Sequence, residues 1–464
     1  MDRDEVPFVG RRDEVEAVRR AVQPSSSARF VLVAGDPGIG KSRLLAELVA
    51  AARSCDVRVG ATRALEAVRG QPYEALKAAV EPVLATTIED LLGEAGDDVD
   101  GELRRQAFFG RVIAALAAAG EAQRTLVVLD DLHWADAPTL RFLERLAVEV
   151  VPGLLVALAY RSAEIRPGEP LTRVVAALAE AGDVVRIDLE GLPAEDIAAL
   201  AGTVAGPPLA EATVADLVEE AQGNPLFALE LARSLDLADA GADTGARPTL
   251  PSAVRAAVFA RLDRLSSGTS DALSAAAVLG GTFAVDVVAA MVDRPTTDVL
   301  IDLDEAERMA LVGPTDDPGV LSFSHPPVCR AVYEGLTGEA RARRHLAAAR
   351  ALSVGAAAPG SRLATVAYHY GRASPVAGPG PAVDYGRRAG DHALSRLAFE
   401  DAARLYGDVL ELAERSAEAG PALRCEVLLR RAEALEGSGE TLAGRAAYAA
   451  AAELAAEVGL ADLL

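Results

Sequence analysis

Short runs of consecutive apolar residues alternate with helix-like stretches over roughly the first 190 positions. Phe30–Ala34 (FVLVA), Leu126–Leu129 (LVVL), Leu154–Tyr160 (LLVALAY) and Val184–Leu189 (VVRIDL) read as buried strands, with Arg58–Gly60 as a fifth. Continuous rather than alternating apolar runs fit a parallel sheet covered on both faces. Ser42–Arg53 and Gly110–Ala119 lie between them as helices. The pattern predicts a doubly wound α/β domain over 1–190. From 191 to 247 it becomes helical only, with helices expected at Ala194–Ala205, Leu209–Gln222 and Pro225–Leu235. Residues 248–355 read as short helices plus a hairpin, Leu311–Val312 with Val320–Phe323, joined by the turn-forming GPTDDPG. Helices followed by a short hairpin predict a winged-helix domain.

The last region, 356–464, reads as a helical tail interrupted at Ser374–Pro381 (SPVAGPGP). Gly390, Ala402 and Tyr406 fall where tetratricopeptide helix pairs place a glycine, a small residue and an aromatic, and Ala432, Gly444 and Tyr448 suggest a second unit. The pattern stops in mid-repeat at Ala461–Leu464, so the chain is expected to be a piece of a longer protein.

Composition narrows the function classes. At 464 residues, 51% hydrophobic and 25% charged, the chain is globular and too long for one core. A net charge of −23 repels phosphate backbones and disfavours nucleic-acid binding by these residues. Cys55, Cys329 and Cys425 are scattered and odd in number, which fits neither a disulfide framework nor a metal-ligand spacing. The charged start MDRDEVPF is no signal peptide, and no apolar run approaches the roughly 20 residues of a membrane span. A cytoplasmic location without membrane contact is expected.

The candidate chemistry starts at Gly35-Asp36-Pro37-Gly38-Ile39-Gly40-Lys41-Ser42, which fits G-x-x-x-x-G-K-[ST] at each fixed position. Glycines let backbone N–H groups converge on phosphate oxygens, and the following helix points its positive end at the anion. Lys41 then bridges the β- and γ-phosphates, and the Ser42 hydroxyl is offered to Mg²⁺. Arg43 follows directly in the nucleotide-binding stretch. The strand Leu126–Leu129 ends in Asp130-Asp131. Asp130 is the candidate Mg²⁺ holder, and Asp131 the candidate for orienting the attacking water. Asp reaches less far than Glu, so slow hydrolysis is expected. Arg161 closes another strand, at the sheet edge where α/β ligands sit, placed to sense a γ-phosphate. His133, in LHWAD, and His325, in FSHPP, read on composition as ordinary partly buried histidines.

With these motifs placed, the chain resembles a STAND-class P-loop ATPase, and more closely the nucleotide-binding region of large LuxR-family (LAL-type) transcriptional regulators. The resemblance rests on the ordered series FVGRRDEVEAV, GDPGIGKS, LVVLDDLHWADAPTL, YR, GNPLF, LPSAVRAAVFARLDRLS and FSHPPVCRAVYEGL. It implies that Val9, Gly10 and Arg11 lie against the adenine, that Pro225 of Gly223-Asn224-Pro225 packs on the base, and that His325 reaches the β-phosphate of ADP. It implies ATP/ADP and Mg²⁺ as cofactors. It also implies a small-molecule or protein inducer at the tail and a nucleotide-dependent homo-oligomer. DNA contact is expected only through a domain outside these residues. The leading expectation is a signalling switch, resting with ADP and self-associating with ATP, with slow ATP hydrolysis serving regulation. The alternatives are a turnover ATPase such as a remodelling motor, or the STAND module of another effector such as a cyclase or an antiviral nuclease.

Overall fold

The five apolar runs become one parallel sheet in the computed structural model. The strands are β1 (Phe30–Gly35), β2 (Arg58–Arg63), β3 (Thr125–Asp130), β4 (Leu154–Arg161) and β5 (Val184–Leu189), and they lie in the order β2-β3-β4-β1-β5. The structure describes residues 8–64, 71–93, 101–204, 211–238, 262, 264–309, 311–315, 317–324, 326–353, 360–415 and 419–459. Within these residues the chain forms two compact units. The first comprises Met1–Arg63, Leu116–His133 and Val150–Leu265, and the second Ala64–Ala115, Trp134–Glu149 and Ser266–Leu464.

In the first unit, helices α1 (Arg12–Ala21) and α2 (Lys41–Ser54) cover one face of the sheet. Val18, Leu44 and Leu48 bury there against Val31, Val33, Leu155 and Ala157, all without exposure to solvent. Removing apolar area from water on that scale holds the layers together, at roughly 25 cal/mol per Å². A small helical cluster continues the unit after β5. Its helices α8 (Ala194–Gly202), α9 (Glu211–Ala221) and α10 (Pro225–Ala238) bury Ile197, Leu200, Leu217 and Ala228 among themselves. Helix α7 (Pro170–Glu180) precedes β5 in this unit, whereas α3 (Glu74–Val80), α4 (Ile88–Gly93), most of α5 (Gly101–Ala122) and α6 (Ala137–Ala147), which follow β2 in chain order, belong to the second unit.

The second unit is mostly helical. Helices α11 (Ser267–Leu279), α12 (Val285–Val292), α13 (Thr296–Arg308), α14 (Pro326–Gly335) and α15 (Gly338–Ser353) accompany a small antiparallel sheet. That sheet has the order β6 (Thr282–Ala284), β8 (Val320–Phe323), β7 (Val312–Pro314), so the expected hairpin gains a third strand. Helices α16 (Leu363–Ala377), α17 (Gly380–Ser395), α18 (Phe399–Ala413), α19 (Pro421–Gly437) and α20 (Thr441–Val458) then stack pairwise in a tetratricopeptide-like tail. Gly390 has a structural reason in that stack. A Cβ there would stand 2.5 Å from the ring of fully buried Tyr406. Tyr448, the matching aromatic of the expected second unit, is instead exposed. The expected break at Ser374–Pro381 is also shorter than the sequence suggests, because α16 runs on to Ala377. Pro375 deprives the Gly371 carbonyl of its helical N–H donor, and the Ser374 hydroxyl donates to that carbonyl instead, at 2.7 Å.

One contact in this unit joins segments far apart in sequence. Phe399, Glu400 and Asp401 open α18 and pack on α5 and α6. Arg105 places Nη1 3.0 Å from both carboxylate oxygens of Glu400, and Arg141 donates from Nε to the same carboxylate at 3.0 Å. The Arg105 guanidinium also lies over the Phe399 ring, and the Tyr73 hydroxyl donates to the Leu397 carbonyl. Tyr73 is wedged edge-on against Phe108 and Phe109. Asp136 caps α6 by accepting from Thr139, and also accepts from the Tyr73 backbone.

Asp401 is buried beside this network, and its Oδ2 meets no hydrogen-bond donor. Burial pushes its carboxyl from 3.8 up to about 7, opposed by Arg404 and reinforced by Asp136 and Glu400. A carboxyl with a raised native pKa holds more protons folded than unfolded, so its contribution to stability falls as pH rises from about 4 to about 7. Asp401→Asn is expected to remove that component. Urea denaturation of both proteins across pH 5–8 should show the wild type losing stability relative to the variant as pH rises. Parallel curves would contradict the assignment.

Candidate functional site

In the first unit the chain places almost all the predicted site residues around the carboxyl ends of β1, β3 and β4. The loop after β1 leads into α2 with Gly40 as N-cap, at φ 110°. That backbone conformation is one L side chains rarely adopt, and the space where a Cβ would project is open. Gly35 and Gly38 also take positive φ. The first N–H groups of α2 have no partner within the helix and point out of its N-terminus. Lys41 is 6% exposed, and its ammonium donates to the carbonyls of Gly35 and Asp36, each at 2.9 Å. Burial lowers its pKa, while Asp131 and Asp130 raise it.

Opposite the loop, Asp130 closes β3. Its carboxyl is raised by burial and by the neighbouring Asp131, and is held down by a hydrogen bond from the Ser42 side chain. The two residues expected to hold a metal therefore touch. β4 lies between β3 and β1, and Arg161 at its end is paired in register with Gly35. Asp131 sits in the left-handed region at φ 51° and is almost fully buried. Its Oδ2 is clasped by Arg63 at the end of β2, with Nε at 2.7 Å and Nη2 at 2.6 Å. His133 follows with Nδ1 4.0 Å from Asp131. Burial, with Arg161 adding to it, pushes its pKa down to about 4, so the ring is neutral near pH 7.

The N-terminal segment and the helical cluster close over the loop. Val9 packs on the cluster of α8–α10. A Cβ on Gly10 would collide with Asp196 at 2.4 Å. Arg11, in the left-handed region at φ 60°, donates from Nη2 to the carbonyls of Ile39 and Glu190. Arg43 holds its guanidinium over Phe8. Pro225 takes the first position of α10. The residue before it makes the contact that sequence reasoning missed. Asn224 donates from Nδ2 to the Pro37 carbonyl at 3.0 Å, while its Oδ1 accepts from the N–H groups of Leu226 and Phe227. An Asn immediately before a helix-opening Pro is a capping signal, and that signal was available in the sequence. Arg63 had no such signal, because its role depends on the pairing of β2 with β3. His325 lies outside the described residues.

Asn224→Asp should separate cap from tether, since Asp keeps the accepting oxygen and loses the Nδ2 donor. It is expected to raise the off-rate of a fluorescent ADP analogue several-fold in stopped flow, with α10 intact by circular dichroism. An unchanged off-rate would contradict the tether.

These residues fit a nucleoside di- or triphosphate with Mg²⁺. They supply N–H donors at a helix N-terminus, an open glycine cradle, a buried lysine, and a Ser–Asp pair for the cation. Sheet, loop and site together define a P-loop nucleotide-binding fold on a parallel five-stranded sheet. Residues 7–156 match the AAA ATPase domain family. No curated protein matches the chain in sequence. Among solved structures, the chain is similar to a STAND (signal transduction ATPase with numerous domains) protein with a tetratricopeptide repeat sensor from Pyrococcus horikoshii. Identity there is 17% and the TM-score 0.52, covering 99% of this chain and 67% of that one. A Walker-type ATPase of Pyrococcus abyssi aligns at 12% identity and TM-score 0.36, over 70% of this chain and 96% of that one. Domain III of the replication initiation protein DnaA from Thermotoga maritima aligns at 14% and 0.33, over 55% of this chain and 95% of that one. No helix among the described residues is long and apolar enough to cross a membrane.

Proposed function

We propose that this chain is an ATP/ADP-dependent signal-transduction switch, the regulatory part of a LuxR-family transcriptional regulator, with its tail as the sensor arm. The observation that carries the switch reading is the closure of the phosphate loop by its own neighbours. Arg11 ties the loop to the start of the helical cluster, and Asn224 ties it to α10. Residues arranged this way hold a nucleotide long enough for its exchange to be the signal. The bound nucleotide and Mg²⁺ supply the phosphoanhydride bond and the charge that polarises it. Lys41 binds phosphate, Ser42 and Asp130 hold the cation, Arg161 senses the terminal phosphate, and Asp131 orients water. Because Arg63 occupies Asp131, hydrolysis is slow and acts as the reset. The short helices and small sheet of 267–335 serve as the winged-helix relay. The LuxR assignment itself rests on the ordered sequence motifs.

A switch works only through differential affinity for its two states. Steady-state turnover by the purified chain is expected below about one per minute, with ADP carried through purification. Turnover of many per second without retained nucleotide would favour a remodelling motor instead.

A further inference from the structure

The tail contains a half-open cavity of about 400 Å³ between α18, α19 and α20, with Glu411 and Glu414 exposed at its rim. That is near the lower end of the roughly 300–1,000 Å³ typical of small-molecule sites. Each helix gives it one face at helical spacing. Glu411 comes from α18 and Glu414 from the cap at its end, Arg424, Leu428 and Arg431 from α19, and Leu454 from α20. The walls are therefore sorted by charge, acidic on one helix and basic on the next, with leucines between them.

The charges of this cavity are unspent. Elsewhere in the tail, arginines pair along their own helices, as in Arg387–Asp391, Arg404–Asp408 and Arg430–Glu433 at 3.2–3.3 Å. Among the described residues, Arg424, Arg431, Glu411 and Glu414 form no ion pair within 4.0 Å. The Nε of Arg431 is buried and meets no hydrogen-bond acceptor. A buried guanidinium N–H without an acceptor is costly, and a carboxylate would satisfy it with a charge-assisted bond.

We propose that this cavity binds a small zwitterion with an apolar body, an apolar amino acid or short peptide with free termini. Its carboxylate meets Arg424 and Arg431, its ammonium meets Glu411 and Glu414, and its side chains lie on Leu428 and Leu454. This deepens the switch reading by naming the ligand class of the sensor arm. The cavity also lies on the C-terminal half of α18, the helix whose first turn carries Glu400 into its contact with Arg105 and Arg141. A ligand drawing α18 towards α19 acts on the helix that makes that contact.

The test is calorimetric titration of the full chain with the dipeptide Leu-Leu, and with N-acetyl-Leu-Leu-amide, which has the same apolar body and no charges. Leu-Leu is expected to bind the wild type. Blocking both termini, or Arg431→Gln, is expected to weaken it about tenfold or more. If Arg431→Gln does not fold by circular dichroism, the exposed Glu414→Gln decides the ammonium half by the same criterion. No binding of Leu-Leu or free leucine at millimolar concentration would overturn the proposal. So would equal binding of the blocked peptide, or wild-type affinity in the folded variants. Peptide binding by a wild-type chain that takes up neither ADP nor ATP would leave this site standing and remove the switch.

Discussion

Lys41→Ala should weaken ADP and ATP binding by roughly a hundredfold or more, equivalent to about 3 kcal/mol. Lys41 is nearly buried in the loop, with its ammonium on the carbonyls of Gly35 and Asp36 and the carboxylates of Asp130 and Asp131 close enough to raise its pKa. Alanine removes the one cation that the loop itself supplies to a polyphosphate. It leaves the acidic pair facing that anion with less compensation. The fold should survive, because the core around Leu44 and Leu48 does not include the ammonium. Equilibrium binding of a fluorescent ADP analogue, with circular dichroism as the fold control, checks it. Wild-type affinity in the variant would mean that nucleotide, if it binds, binds elsewhere.

Glu400→Gln should destabilise the chain far more than a surface charge substitution in the same unit. The side chain of Arg105 is 5% exposed, and Glu400 answers it with both oxygens while also accepting from Arg141. Breaking a buried pair from one side typically costs about 3–5 kcal/mol, and the loss here is expected towards the lower end because Arg105 keeps Glu102 and Arg141 keeps Glu144 as partners. The same change at the exposed pair Arg343–Glu339 should stay within about 0.5 kcal/mol. Urea denaturation compares the two. Hydrogen exchange locates the loss, with deprotection expected at 101–115, 137–147 and 399–405. A Glu400→Gln protein as stable as the Glu339→Gln control would show that this contact holds nothing together.

Much of the sheet was legible because burial on two faces leaves long apolar runs that no helix of this length would need. The five strands came out at the expected places, Arg58–Gly60 included. The phosphate loop was legible because its chemistry is local, with glycines, lysine and serine within eight residues. Residues whose roles depend on the fold were not. Arg63 reads as an ordinary surface arginine until β2 lies beside β3. Glu400 stands 295 residues from Arg105, and no periodicity links them. The Pro375 helix was misread for the opposite reason. A local breaker was offset by a local repair, the Ser374 hydroxyl, that sequence pattern alone does not reveal.

The central claim is that nucleotide state sets assembly state. Molar mass by light scattering, measured on one preparation with ADP and then with a non-hydrolysable ATP analogue and Mg²⁺, tests it most directly. The switch predicts a monomer with ADP and a larger assembly with the analogue, with Lys41→Ala unresponsive to either. The same mass under both nucleotides, in wild-type chain shown to bind them, would contradict it.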